Sequence, residues 1–191
     1  MKKSKSFFHP KSLVESKKSI GVGTRVWAFA HIMKHAAVGS DCNIGDHAFI
    51  ESGAVVGNRV TVKNGVSVWE GVTLEDDVFV GPGAVFTNDL FPVSRKPARL
   101  LLTRVKRGGC IGANVTIVCG TTVGEHAFVG AGATVTKNVP DHALCYGNPA
   151  VIHGFLCRCR MKLHFSGVRA TCECGLKFKR SGAAVHQIPL R

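Results

Sequence analysis

Residues 44–68 read IGDHAFIESGAVVGNRVTVKNGVSV, and every sixth position is a branched aliphatic: Ile44, Ile50, Val56, Val62 and Val68. The same step runs back through Val38, Ile32 and Val26 to Ile20, and forward through Leu74 and Val80 to Phe86, without one polar residue. Four places after these positions the residue is small or apolar, as at Ala30, Ala36, Cys42, Ala48, Ala54, Val60 and Val66. Glycine directly follows the aliphatic residue at Gly21, Gly39, Gly45, Gly57 and Gly81. Phe8 and Val14 carry the step upstream more weakly.

A repeat of this length and chemistry specifies an all-β chain wound as a left-handed parallel β-helix, three hexads to a triangular coil of about eighteen residues. Each aliphatic side chain points inward, and glycine at the corners is expected to permit the turns. Coils stack at about the 4.8 Å spacing of paired strands, so residues eighteen apart lie over one another. The sequence can then be read as a map of the surface.

At 191 residues the chain can bury a full core, with room for a small second unit. Its net charge of +13 is uneven. Six Lys against Glu15 occupy the first nineteen residues, six Lys or Arg lie between Arg95 and Arg107, and eight follow Val151 against Glu173. Such segments attract polyanions: nucleic acid, phospholipid or nucleotide-like small molecules. For the N-terminal lysines alone a solvated surface is the simpler reading. Nucleic acid needs aromatics interleaved with the basic residues, and here only Phe91, Phe155, Phe165 and Phe178 accompany them, so none is expected as a partner. The opening MKKSKSFFHP has no apolar stretch behind it, and no run approaches the length of a membrane span. A cytoplasmic chain with no membrane insertion is expected, in which the eight Cys are thiols or metal ligands and not disulfides.

After Phe86 the step breaks, and it resumes at Ile111, Ile117, Val123, Val129 and Val135. The gap is one more than a multiple of six and holds two prolines and a basic cluster, so residues 87–110 are expected as an extruded loop, the part of a rigid scaffold that binds or catalyses. Counting back by eighteens from Asn88 gives Glu70, Ser52 and Lys34. Lys34 and Ser52 read as ordinary polar surface, whereas Asn88 and Glu70, beside the loop root, are the catalytic candidates. Past the loop, Gly112 stacks under Gly130 and Ala113 under Ala131, with Asn148 and Pro149 expected to continue the two columns. Missing side chains leave a groove where an extended ligand can lie against backbone amides; the plainer alternative is that small residues ease coil packing.

Cys157, Cys159, Cys172 and Cys174 form C-R-C-x12-C-E-C. Two close pairs across a short hairpin match a zinc knuckle in outline, with four thiolates and no open position. The alternative is four reduced thiols in a poorly ordered tail. The expected division is a β-helix over 1–152 and a Cys-rich appendage over 153–191. Cys42 falls on an inward position and reads as core; Cys110, Cys119 and Cys145 read as structural or incidental.

These hexads, the loop and GNPA at Gly147 to Ala150, together with GTRVWAFAHI, VKNGVSVWEGVTLEDDVFVGPGAVFTND and IGANVTIVCGTTVGEHAFVGAGATVTKNVP, resemble the hexapeptide-repeat acyltransferases. Within them the motifs are similar to those of bacterial nucleotide-sugar N-acetyltransferases. The nearest type acetylates the 3-amino group of a UDP-linked 2-acetamido-3-amino-2,3-dideoxyglucuronate, a step toward lipopolysaccharide and other surface polysaccharides. The resemblance runs from about Phe8 to Ile152. It implies a homotrimer, acetyl-CoA as co-substrate along the groove between neighbouring prisms (Gly112, Ala113, Gly130, Ala131, Asn148 and Pro149), a nucleotide sugar under the loop, and Asn88 at the reacting amine. The loop departs from the family, with FPVSRKPARLLL where N-P-R-S is more usual, so the sugar stays open.

Acetyl transfer to an amine needs the neutral amine, a route for its proton, and a donor for the developing oxyanion. Asn88 can orient an amine but cannot be a base. Glu70, one coil away, could be, although a solvated carboxylate has a low pKa for the task. His31 and His47 are outward-facing candidates, and an amine of modest basicity needs no strong base. Three rivals share the scaffold: an acyltransferase for another small acceptor, a γ-type carbonic anhydrase, and a non-catalytic β-helix. His31, His35, His47 and His126 do not have the spacing of the carbonic anhydrase zinc site.

Overall fold

The computed structural model describes residues 5–97, 99–182 and 184–189; of the basic residues counted above, Lys2, Lys3 and Arg191 fall outside these. The chain winds as a parallel β-helix whose three walls are sheets of nine, seven and five strands, most of them two residues long. Rungs eighteen residues apart pair in parallel: Phe7–Phe8 with Arg25–Val26, then Asn43–Ile44, then Thr61–Val62, then Phe79–Val80. In each two-residue strand of the helix the second residue points in, and in Val72–Leu74 and Thr103–Val105 the first and third do. Val26, Ile32, Ile44, Ile50, Val62, Val68, Leu74 and Val80 are all fully buried, stacked in columns down the prism. β-Branched side chains suit this pleated wall because their restricted χ1 costs little there.

The corners are made differently from the sequence expectation. Positive φ recurs three places after the inward aliphatic, at Phe29, Asp41, His47, Arg59, Asp77, Asn114 and His126, as well as at Gly53, Gly65 and Gly83. Asp41, Asp77, Asn114 and the two His belong to the residue types that tolerate the left-handed region best, whereas Phe29 and Arg59 hold it without that advantage. The glycines directly behind the aliphatic residues have another reason. A Cβ on Gly81 would lie 2.6 Å from Ala113 N, and one on Gly57 2.8 Å from Asp76 N. They allow the next coil to come close; they do not make the turn.

Two departures from eighteen set the register. Val72 pairs with Thr103, Val80 with Ile111 and Phe86 with Ile117, each 31 positions on where the rungs before them are 18 apart, so thirteen extra residues enter this coil. The strand Thr103–Val105 lies inside the span expected as loop, so the excursion ends there and not at residue 110. Val105 is the missing hexad residue, hidden in sequence between Arg104 and Lys106. Nearer the end, Ile117 still pairs with Val135 eighteen on, but Val123 bridges Val139 and Val129 pairs with Cys145, each sixteen on. The hexad from Val135 to Val139 is therefore two residues short.

The chain then reverses. Ala143–Tyr146 pairs antiparallel with Val151–Phe155, and a small antiparallel sheet follows, of Arg169–Thr171, Lys177–Ser181 and Ala184–Gln187. Phe155, Leu163, Leu176, Phe178 and Val185 are buried in one continuous cluster with Val139, Ala143 and Cys145 of the last coil. No helix among the described residues is long and apolar enough to cross a membrane.

Candidate active site

The excursion leaves one corner of the prism at Asn88 and returns at Leu102. Its neck is an antiparallel bridge between Asp89 and Leu100, and the Leu101 N–H donates to the Asn88 carbonyl at 3.0 Å. The Asp89 carboxylate accepts the N–H of Phe91 at 3.0 Å on one oxygen and that of Arg99 at 3.1 Å on the other, tying the two legs together. The returning leg lies along the corner glycines of its neighbours. Leu102 Cδ2 would be 3.5 Å from a Cβ on Gly71, and Leu101 Cδ1 3.6 Å from one on Gly120. Thr87 Oγ1 accepts the Cys119 N–H at 2.9 Å. Three successive coils therefore meet at the root of the loop.

Of the catalytic candidates, Asn88 is half-buried at this root and Glu70 is exposed on the coil before it. The Glu70 N–H donates to Glu51 Oε2 at 2.7 Å, and the Glu70 side chain covers Gly53. No hydrogen bond joins Asn88 to Glu70 among the described residues; they share a column, not a contact. Within the loop, walled by its own residues, is a cavity of about 380 Å³ with an apolar lining from Leu90, Phe91, Val93 and Leu101, two cations, Lys96 and Arg99, and the Asp89 carboxylate. Sequence reasoning passed over Asp89, whose signal was an Asp three places before the first loop proline, placed to cap its own backbone.

The narrow columns form as expected between Gly112–Ala113 and Gly130–Ala131. A Cβ on Gly112 would lie 2.6 Å from Ala131 N. Above them the short hexad shifts everything by two. Gly130 faces Tyr146, whose Cβ would be 2.9 Å from an added Cβ, so Asn148 and Pro149 do not continue these columns. They lie exposed in the turn beyond, while Tyr146 stacks flat on His153 with ring centroids 3.5 Å apart.

A family described as the hexapeptide repeat of succinyl-transferase matches residues 36–70 and 109–137. Over 183 residues, 95% of this chain and 95% of the relative, the sequence is 59% identical to dTDP-3-amino-3,6-dideoxy-α-D-galactopyranose 3-N-acetyltransferase of Aneurinibacillus thermoaerophilus. The chain belongs to the hexapeptide-repeat nucleotide-sugar N-acetyltransferases. Among solved structures, the acetyltransferase domain of PglB from Neisseria gonorrhoeae in complex with acetyl coenzyme A matches with a TM-score of 0.55 and 25% identity. That match covers 78% of this chain, which spans 58% of the PglB chain. AntD, an N-acyltransferase from Bacillus cereus, matches at a TM-score of 0.52 and 18% identity over 78% of this chain and 80% of its own, a likeness of fold.

In this acetyltransferase the two histidine candidates sit far up the helix. His31 Nε2 lies 2.7 Å from Glu15 Oε1, and its strand is separated from Val85–Phe86 by two others of the same wall. His47 is a corner residue stacked on Phe29. Neither reaches the loop. His31, His35, His47 and His126 form no metal-binding group among the described residues.

The one such group among the described residues is the expected one: the sulfurs of Cys157, Cys159, Cys172 and Cys174 lie within 4.8 Å of one another. Cys157–Cys174 and Cys159–Cys172 are each 3.5 Å apart. Four thiolates about 2.3 Å from a tetrahedral zinc sit roughly 3.8 Å from each other, whereas a disulfide needs about 2.0 Å. The two Cys turns repeat one geometry. Cys157 N–H donates to Met161 O as Cys172 N–H does to Leu176 O, and Arg160 N–H to Cys157 O as Gly175 N–H does to Cys172 O. Both fourth residues have positive φ, so Arg160 occupies the place Gly175 fills in the second turn. Burial pushes the Cys157 thiol up to about 12, while the backbone of Leu176 holds that of Cys174 down to about 7. Cys42 and Cys145 are buried, and burial raises the Cys145 thiol to about 11, which suits inert core residues.

Proposed function

We propose that this enzyme transfers the acetyl group of acetyl-CoA to the 3-amino group of a dTDP-linked 3-amino-3,6-dideoxyhexose in the cytoplasm, for a surface polysaccharide such as lipopolysaccharide. The observation that carries the reading is 59% identity along nearly the whole of both chains to an enzyme named for that substrate. It moves the nucleotide from the UDP toward which the motifs lean to dTDP and keeps the 3-amino sugar common to both. The loop cavity supports it: an apolar lining with Phe91 suits a flat base, and Lys96 and Arg99 suit a diphosphate.

In the reaction the neutral amine attacks the thioester carbonyl, the C–S bond of the tetrahedral adduct breaks, CoA leaves as thiolate, and the amine nitrogen gives up one proton. Asn88, at the loop root, orients the amine by accepting from it. Glu70, on the column below, receives the proton directly or through water. Acetyl-CoA lies along Gly112, Ala113, Gly130 and Ala131, with the turn of Asn148 and Pro149 at its end, and a neighbouring copy in a homotrimer closes the groove. Cys157, Cys159, Cys172 and Cys174 hold one structural zinc.

A panel of dTDP- and UDP-linked amino sugars with acetyl-CoA, followed by thiol release, tests the reading. Preference for a dTDP-3-amino sugar is expected; turnover confined to UDP-linked acceptors would overturn it.

A further inference from the structure

The helix has an exposed-core problem at its C-terminal end. A parallel coil has two open ends, and a stack of inward aliphatics that simply stopped would show its last layer and its unpaired strand edges to water. Here the last layer is Val139, Ala143 and Cys145, each nearly or fully buried. What covers it comes from beyond residue 154: Phe155, Leu156, Leu163, Leu176, Phe178 and Val185. These side chains are separated by Lys, Arg and Ser and belong to short strands joined by turns, too little apolar surface to hold such a segment folded. The four sulfurs lie where that segment crosses itself.

Two sets of bonds fasten the Cys turns to the coil. Leu156 N–H donates to the His142 carbonyl at 2.7 Å, and His142 Nδ1 donates to the Leu156 carbonyl at 3.0 Å, immediately before Cys157. From between Cys159 and Met161, Arg160 reaches across to the corner of earlier coils, donating to the carbonyls of Gly108 at 2.9 Å and His126 at 3.3 Å. These corner carbonyls belong to the two coils beneath the last. Arg160 is held out to them by the positive-φ turn that closes the first Cys pair.

We infer that the tetrathiolate metal is the cap of the β-helix: once loaded, it fixes the crossing of the C-terminal segment, seals the last core layer and pins the final coils through Arg160 and Leu156. This rests on the reading that the four Cys bind zinc, and it adds what that zinc is for. The segment is in this view a lid whose folding and the order of the last coils rise and fall together with metal.

The test uses the full-length protein purified without chelator. Metal analysis gives about one zinc per chain, and thiol titration of the denatured, chelated protein without reductant gives all eight Cys as thiols. Absence of any bound metal, or only four titratable thiols, would remove the metal reading itself. Amide hydrogen exchange is then compared with zinc present and after its removal. Peptides covering residues 128–146 should exchange at least roughly tenfold faster without zinc, with those of residues 25–68 unchanged. Zinc bound at one per chain but exchange in 128–146 indifferent to its removal would leave the metal site standing and overturn the cap. Arg160→Ala gives an independent reading that does not touch a ligand: zinc stays bound, and exchange rises around Gly108 and His126. No rise there would show that the pin carries no load, against the inference.

Discussion

The two oxygens of Asp89 accept the backbone N–H groups of Phe91 and Arg99, so one side chain closes a ten-residue reach of the loop. Hydrogen bonds to a charged acceptor contribute about 1.5–3 kcal/mol each where solvent is excluded, less at this exposed neck. Asp89→Ala should loosen the loop without unfolding the helix, whose core lies elsewhere. The expected result is a KM for the nucleotide sugar raised on the order of tenfold, with acetyl-CoA affinity and melting temperature barely changed. A matching loss of acetyl-CoA binding would show that the loop serves both substrates.

Asn88 stands at the same neck, and we propose that it orients the amine. Asn88→Ala should cut turnover on the order of a hundredfold, the scale of a misplaced reacting group, while acetyl-CoA still binds normally by calorimetry. Wild-type turnover in the variant would remove Asn88 from the site.

Glycines in this helix serve two physical purposes, and substitution separates them. Gly112→Ala places a Cβ 2.6 Å from the backbone nitrogen of Ala131, which cannot swing away. It should cost about 1–3 kcal/mol in denaturant unfolding, the range for overpacking. Gly65 has φ +70 with nothing within 4 Å of an added Cβ. Gly65→Asn should stay within about 0.5 kcal/mol of wild type, because Asn tolerates that backbone and the surface is open. The opposite order would mean that turn strain, not coil spacing, limits the repeat.

His142 is buried, and burial pulls its pKa below the ordinary histidine value; His126 beside it lowers it further, while the Leu156 carbonyl, Asp141 and Glu125 oppose this. His126 is lowered by its own burial. Both groups bind protons more readily when the chain unfolds, so their contribution to stability is full above about pH 6.5 and is lost as pH falls from there through the depressed folded values. Urea midpoints should therefore drop between pH 7 and 5. In His142→Gln that slope should be shallower, measured against wild type at equal zinc so that any loss of metal is common to both. An unchanged slope would place the acid sensitivity elsewhere.

The period of six was legible from residue 20 to residue 86 because each hexad meets the same local demand: one side chain in, one corner turned, one close approach to the coil above. A rule repeated twelve times survives any single exception. For the same reason the family motifs, the loop root at Asn88 and the four Cys could be named before any coordinate was known. What the sequence could not determine was length kept out of register. The thirteen residues inserted before Thr103 and the two missing after Val135 change nothing locally, yet each resets what every later residue faces. Val105 was lost among cations, and Tyr146, not Asn148, came to lie over Gly130. Strand pairing alone decides such things, because a hydrogen-bonded rung selects its partner by position in space and not by distance along the chain. The joining of the C-terminal segment to the core belongs to the same class: Arg160 meets the Gly108 carbonyl 52 residues away, a contact that no local pattern encodes and that only the closed end of the helix brings about.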